Sequence, residues 1–327
     1  MNWNDKTILV TGGTGSFGRK FVATMLEQFK PKKVIIFSRD ELKQHEMRTS
    51  GFDHPSLRYF IGDVRDAERL RRAMNGVDIV VHAAALKQVV ACEYNPLEAV
   101  KTNIDGAKNI IDAAIDAKVQ KVLALSTDKA VSPVNLYGAT KLVAEKLFVQ
   151  ANAYTGGDTP KFACVRYGNV VGSRGSVVPV FLEQRKTGRV TVTDKRMTRF
   201  WITLEQGVKL VTDGIEQMHG GEIFVPKITS MNIMDLVRIV APDCKVDEVG
   251  IRPGEKLHEA LLSDEEATHT LDAGDKYVVM PVQASWTNNA WTKAKPVDVE
   301  FRYVSNLEGN WMTDEELRSM VRSYETP

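Results

Sequence analysis

The sequence predicts a doubly wound α/β fold, a parallel sheet covered by helices on both faces, followed by a smaller and interleaved C-terminal lobe. Three observations predict it. Runs that are apolar throughout alternate with helix-length stretches over the first half of the chain, the pattern of a sheet buried on both faces. A glycine triplet joins the first apolar run to the first helical stretch. After about residue 168 the rhythm changes, as Gly, Pro and basic residues thicken through 172–199.

Taken in order, Lys6–Val10 is a short apolar strand that runs into Thr11-Gly12-Gly13. Phe21, Val22, Met25, Leu26 and Phe29 then recur at helical spacing until Pro31 stops them. Lys33–Phe37, Leu57–Ile61 and Asp78–Val81 read as further buried strands, with helical segments at Glu41–Met47 and Asp66–Met74 between them. A long helix over Pro96–Ala117 leads to a fifth strand, Lys121–Ser126. Farther on, Leu204–Met218 reads as helix and Glu222–Val225 as strand. Short helices at Ile233–Val240 and Glu315–Tyr324 lie among loops that hold Trp286, Trp291 and Trp311. The expected division assigns residues 1–168, with about 200–226, to the sheet domain, and 169–199 with 227–327 to the second lobe.

The composition narrows the function. The chain has 327 residues, 43 Lys+Arg against 42 Asp+Glu, and a net charge of +1. That balance provides no general field for nucleic acid or an anionic membrane. No apolar run approaches the ~18 residues of a membrane helix, and the N-terminus carries no signal-peptide core. Cys92, Cys164 and Cys244 are an odd number without metal spacing, read as free thiols in a reducing compartment. The expectation is a soluble cytoplasmic protein that uses no metal.

Gly12, Gly15 and Gly18 form G-x-x-G-x-x-G between strand and helix. Glycines there let the backbone approach a pyrophosphate, which then sits on free N–H groups at the helix N-terminus. This predicts a dinucleotide-binding Rossmann domain. The tip of the second strand is Ser38-Arg39 where an NAD site would carry an acid; a hydroxyl and a guanidinium suit a 2′-phosphate, which favours NADP over NAD. Asp40 argues the other way but lies beyond the strand end. Asp63-Val64 is placed to touch the adenine, or Asp63 caps the next helix.

Tyr137 and Lys141 stand at i, i+4 on one helix face, where a lysine cation lowers the phenol toward use as a base. Ser126-Thr127-Asp128-Lys129 ends the fifth strand, at the sheet edge where ligands bind. Burial there would raise Asp128 and lower Lys129 toward neutrality, matching acid and base roles; a capped turn with a solvated lysine is the bland alternative. His82 heads His82–Lys87, a stretch small enough to line a nicotinamide pocket, and reads as a packed histidine more readily than a catalyst. In the basic stretch 185–199 and in 251–256, Arg199 and Arg252 are candidates for a diphosphate.

Together these motifs resemble the nucleotide-sugar branch of the extended short-chain dehydrogenase/reductase superfamily. Asp-Lys in place of its usual Asp-Glu, with strings such as Ser38–Lys43, Ile61–Asp66, Arg166–Val177, Met197–Thr203, Gly220–Lys227 and Gly250–Glu259, is similar to its inverting UDP-N-acetylglucosamine 4,6-dehydratases of the pseudaminic acid pathway. The resemblance covers essentially the whole chain. It implies a cofactor set of Gly12, Thr14, Gly15, Ser16, Phe17, Gly18, Ser38, Arg39, Lys43, Asp63, Val64, Ala83, Ala84, Ala85, Lys87, Tyr137 and Lys141. It also implies the reaction. Tyr137, with Lys141 and Thr127, takes the 4-hydroxyl proton while NADP+ takes the C4 hydride. Lys129 then removes the C5 proton, Asp128 protonates the departing 6-hydroxyl, and the hydride returns to C6. Asn169 and Lys87 would meet the sugar or its phosphates, with Arg199, Arg252 and Glu255 at the UDP end. A retaining dehydratase or a UDP-sugar 4-epimerase is the rival on this scaffold; homo-oligomerisation is an analogy with relatives.

Overall fold

The structure is a computed structural model that describes residues 1–156, 159–171, 177–282 and 290–325. Trp286 and residues 172–176 of the Arg166–Val177 string lie outside the described residues.

The first half alternates as expected: β1 (Thr7–Thr11), α1 (Ser16–Thr24), β2 (Lys33–Ser38), α2 (Glu41–Thr49), β3 (Leu57–Ile61), α3 (Ala67–Ala73) and β4 (Ile79–His82). Two short helices follow, α4 (Val89–Tyr94) and α5 (Pro96–Val100); a wider turn at Lys101–Asp105 joins α5 to α6 (Gly106–Asp116) as one long rod. Then come β5 (Lys121–Leu125), α7 (Leu136–Gln150) and β6 (Lys161–Val165). The chain continues through β7 (Asn169–Val170), α8 (Val177–Arg185), β8 (Arg189–Val192), β9 (Thr198–Ile202), α9 (Leu204–Gln217) and β10 (Ile223–Pro226). The remainder is β11 (Ser230–Asn232), α10 (Ile233–Val240), β12 (Lys245–Glu248), β13 (Ala260–Leu262), α11 (Asp264–Ala267), β14 (Thr270–Asp272), β15 (Lys276–Val279), β16 (Lys295–Pro296), β17 (Tyr303–Val304) and α12 (Asp314–Glu325).

Seven strands run parallel in the order β3-β2-β1-β4-β5-β6-β10. The strand order reverses between β1 and β4, which opens a crevice at their carboxyl ends. Strand interiors are apolar because both sheet faces are covered: Ile8, Leu9, Val10, Val34, Ile36, Ile79, Val80, Val81, Val122 and Leu123 are all fully buried.

Beyond β10 the sheet gains β15, β14 and β16 by antiparallel pairing. These three strands fall in the stretch expected in the second lobe and instead extend the large sheet. The lobe itself is built from the three-stranded sheet β11-β9-β7 and the pair β12-β8. Its own core gathers Val178, Phe181, Val190, Trp201, Leu236, Val237, Leu317 and Val321. The lobe is interleaved in sequence, and its strand β9 lies beside the cleft of the sheet domain, which brings the two together at one site.

Candidate active site

A single cleft of about 680 Å³ lies across the carboxyl ends of β1, β2, β4 and β5. Every residue expected to hold the dinucleotide lines it, as do Thr127, Asp128, Lys129, Lys87 and Asn169. Arg199, Arg252 and Glu255 are not among its lining residues. Arg199 Nη1, on strand β9, instead donates to the carbonyls of Thr198 and Leu257, so its guanidinium is held by main-chain oxygens. The Arg252 side chain is 65% exposed and stands 3.9 Å from Glu255.

The glycine loop is shaped for close approach. Gly12 has φ +67°, and a Cβ on it would stand 3.0 Å from Ala84 Cα. The Gly15 N–H donates back to the Gly12 carbonyl at 2.9 Å, and no side chain caps α1. The helix therefore presents uncapped N–H groups to the cleft, the arrangement that holds an anion. At the tip of β2, Thr14 and Ser38 share a hydrogen bond of 3.1 Å. Arg39 is exposed at the rim, and Asp40 caps α2 and pairs with Lys43 at 2.9 Å, which lowers its carboxyl below the usual range. Asp66, not Asp63, caps α3; Asp63 is chelated by Arg65, whose hydrogen bonds overcome the upward push of burial.

His82 is packed. Its Nδ1 lies 2.9 Å from the Thr11 hydroxyl, whose oxygen accepts from the Ala83 and Ala84 N–H groups. The hydroxyl proton must then point at Nδ1, so the imidazole is a neutral acceptor there. Burial, with the Lys141 cation nearby, pushes His82 down to about 3. The Ala83–Leu86 loop is pinned by buried Asn103, whose side chain accepts from the Leu86 N–H and donates to its carbonyl and to Thr140.

The catalytic candidates meet at the end of β5. Asn135 caps α7 by accepting from the Gly138 N–H, and Gly138 packs so close that a Cβ would lie 2.0 Å from the Lys129 carbonyl. That contact sets the Tyr137 helix against the Asp128–Ala130 turn. Asp128 is fully buried; its Oδ1 accepts from Thr127 Oγ1 at 2.9 Å and Lys129 Nζ at 3.0 Å. Its Oδ2 has no partner.

Two expectations about charge are corrected. Burial alone would lower Lys129, but Asp128 and Glu259 flank its ammonium and hold it above the ordinary lysine range. Lys141 shares a helix face with Tyr137, yet its Nζ donates to the Leu125 carbonyl at 2.6 Å. Burial pushes Tyr137 up to about 12, and it is Lys129 and the Thr127 hydroxyl that pull against this.

Sequence reasoning missed three residues here. Glu259 stands 3.3 Å from Lys129 Nζ, and Lys256 donates to the Val131 carbonyl behind the catalytic turn. Trp201 lines the cleft with a buried, unpartnered indole N–H. The strings Gly250–Glu259 and Met197–Thr203 and the basic stretch 251–256 ran through these positions without giving any of the three a role. Among the described residues no His/Cys/Asp/Glu group is arranged to hold a metal, and no helix is long and apolar enough to cross a membrane.

Comparison with known proteins agrees with this architecture. Residues 8–281 match the family model described as polysaccharide biosynthesis protein. The chain is 51% identical to the Campylobacter jejuni UDP-N-acetylglucosamine 4,6-dehydratase (inverting), over 99% of each chain. It is 46% identical to the Rickettsia conorii UDP-glucose 4-epimerase, over 84% of this chain and 82% of that one. Among solved structures, Pen from Bacillus thuringiensis superposes with a TM-score of 0.90 at 39% identity, covering 99% of both chains. The chain belongs to the polysaccharide biosynthesis protein family, on the extended short-chain dehydrogenase/reductase scaffold.

Proposed function

We propose that the protein is a UDP-N-acetylglucosamine 4,6-dehydratase that inverts C5, giving UDP-2-acetamido-2,6-dideoxy-β-L-arabino-hex-4-ulose. The buried Asp128–Lys129 pair beside Tyr137 carries the reading, since a 4-epimerase has no use for a second acid and base. The identity to the Campylobacter jejuni enzyme supports it.

A nicotinamide dinucleotide bound along the glycine loop supplies a hydride acceptor for C4 and, once reduced, a donor for C6. The uncapped N–H groups of α1 and the bare Gly12 surface fit its pyrophosphate. NADP is the favoured form: Ser38 and Arg39 line the cleft, while the acid directly after them, Asp40, is already committed to Lys43. Arg39→Ala should weaken NADP about tenfold or more and leave NAD nearly unchanged, the loss of one charge-assisted contact. Equal effects on both would remove this assignment.

Tyr137 takes the 4-hydroxyl proton as its phenolate and becomes the phenol; the Lys129 cation and the Thr127 hydroxyl favour that phenolate against burial. Lys141 lines the cofactor half of the cleft and stiffens β5 through Leu125. The resulting 4-ketone acidifies C5–H. Shifting one proton from Lys129 Nζ to Asp128 across their 3.0 Å contact yields an amine and a carboxylic acid. The amine takes the C5 proton, the C–H electron pair forms the C5–C6 double bond, and the 6-hydroxyl leaves as water with the Asp128 proton. Elimination thus ends in the ion pair. Return of a proton to C5 on the opposite face inverts it. Lys87 and Asn169 meet the sugar or its phosphates, a reading supported by their both lining the cleft. Arg252 and Glu255 pair outside the cleft, and Arg199 is tied to the Thr198 and Leu257 carbonyls, so none of the three is assigned a contact with the nucleotide.

A 4-epimerase is the second reading, favoured by the Rickettsia conorii relative. Proton NMR of the protein with UDP-N-acetylglucosamine in D2O, without added cofactor, separates the readings. A new C6 methyl with deuterium at C5 and L-ring couplings is expected. The methyl on a D-ring would make the enzyme a retaining dehydratase, and a change at C4 alone an epimerase. The same reading expects a cytoplasmic homo-oligomer feeding pseudaminic acid or a related L-sugar, with the assembly state open to sedimentation.

A further inference from the structure

We propose that Glu259 is a positioning residue for the elimination step, acting through Lys129 to keep a proton on the Asp128–Lys129 pair. The inference rests on the dehydratase reading and concerns a residue that does not line the cleft.

Glu259 is buried at 2% exposure, at the edge of β13. Its backbone N–H donates to Ser305 Oγ, and its carbonyl accepts from the Ser305 N–H, so the main chain is fixed on both sides. One carboxylate oxygen, Oε1, lies 3.3 Å from Lys129 Nζ. The other has no hydrogen-bond partner, with Lys256 Nζ 3.9 Å away. A buried carboxylate is costly to hold unless its charge is used. Here its nearest cation is the side chain that takes the C5 proton.

Lys129 is thus gripped from two sides, by Asp128 at 3.0 Å and Glu259 at 3.3 Å. The other charged or titratable groups facing the cluster are Tyr137 on the cleft side, and Arg199 and Lys256 behind it. Arg199 and Lys256 are cations and oppose a proton on Lys129; Glu259 is the anion that offsets them. Asp128 exchanges its proton with Lys129 during the cycle, whereas Glu259 does not line the cleft. It therefore favours the ion pair that forms as C5–H breaks. It also fixes the pH range over which the pair carries the single proton that the chemistry needs. The titration belongs to the pair and not to either residue.

The test is the rate at which the 4-keto product, presented in D2O, takes up deuterium at C5 as a function of pH. This step uses the pair and no hydride transfer. In Glu259→Gln the alkaline limb should move at least one unit to lower pH, with KM within twofold of the wild type. Glu259→Asp keeps the charge but draws it back, and should move the limb in the same direction by less. Competitive acylation of Lys129 across pH, read by mass spectrometry, checks the same shift without turnover, and serves if the Gln variant is poorly folded. Unmoved limbs and an unmoved labelling profile in folded variants would overturn the proposal. Failure of the wild type to form any methyl product would instead sink the dehydratase reading on which it rests.

Discussion

Gly138→Ala is a one-carbon change at the seam between the Tyr137 helix and the Asp128–Lys129 turn. The added Cβ would meet the Lys129 carbonyl oxygen at 2.0 Å, its carbon at 2.9 Å and Pro133 Cβ at 3.1 Å. Relieving the first contact needs a separation of at least 3.0 Å, so the turn or the helix must move by 1.0 Å or more. Two effects on stability oppose each other. Alanine improves the helix by about 1 kcal/mol over glycine. Overpacking against backbone, which cannot rotate aside, costs about 1–3 kcal/mol. The two nearly offset, for a net loss of about 0–2 kcal/mol, or a fall of at most a few degrees in Tm. Catalysis should suffer far more, because a 1 Å misplacement of reacting groups costs on the order of 10²-fold. The assay pairs methyl formation by NMR with thermal unfolding and dinucleotide binding. A variant that unfolds within a few degrees of wild type, binds cofactor and loses about 10²-fold in kcat is the expected result. Wild-type kcat would show that the Tyr137 helix and the turn need no fixed spacing, and would refute the reasoning.

Three further outcomes follow from the same geometry. Lys129→Ala should lower turnover by about 10²–10⁴ while cofactor remains bound, and wild-type turnover would remove Lys129 from the elimination. Arg166 is buried and bridges Glu145 and Glu266, so Arg166→Met leaves two carboxylates unpaired and should cost about 3–5 kcal/mol in urea unfolding; a loss under 1 kcal/mol would contradict it. His82 titrates near 3 when folded against an ordinary value of 6.5, so between those values the unfolded chain binds a proton that the folded one refuses. Stability should therefore fall as pH drops from 6.5 toward 3, by up to about 1.4 kcal/mol per unit from this group. His82→Gln should remove that share of the slope, and equal slopes in the two proteins would rule out His82 as its source.

What was legible in the sequence was what is local along it. The glycine spacing declares its function through its setting between strand and helix, and Gly12, Gly15 and Gly18 all line the cleft. Tyr137 and Lys141 were found for the same reason, but spacing places a side chain on a face without saying what its tip binds. Lys141 spends its ammonium on the Leu125 carbonyl, a partner on another element. Glu259 was hidden for a related reason: far from Lys129 in sequence, it reaches it only because β13 packs behind the catalytic turn. Its absence from the sequence reading produced the wrong sign for Lys129, since burial was weighed without the second carboxylate. Arg199 and Arg252 show the limit of reading basic stretches, because composition does not tell which guanidinium is already held by main-chain carbonyls. Strands β14 to β16 escaped because short strands at a sheet edge, mixing Thr270, Asp272 and Lys276 with Tyr277 and Val278, carry little periodicity.

In the proposed reaction one hydride leaves C4 and returns to C6 of the same sugar while Asp128 and Lys129 remove water between. UDP-N-acetylglucosamine carrying deuterium at C4, mixed with an equal amount of 13C-labelled unlabelled-hydrogen substrate, tests it directly in H2O. Deuterium is expected in the C6 methyl group as CH2D, confined to molecules without 13C. Deuterium that stays on C4 of a UDP-hexose, or that appears in the 13C-labelled methyl groups, would contradict it.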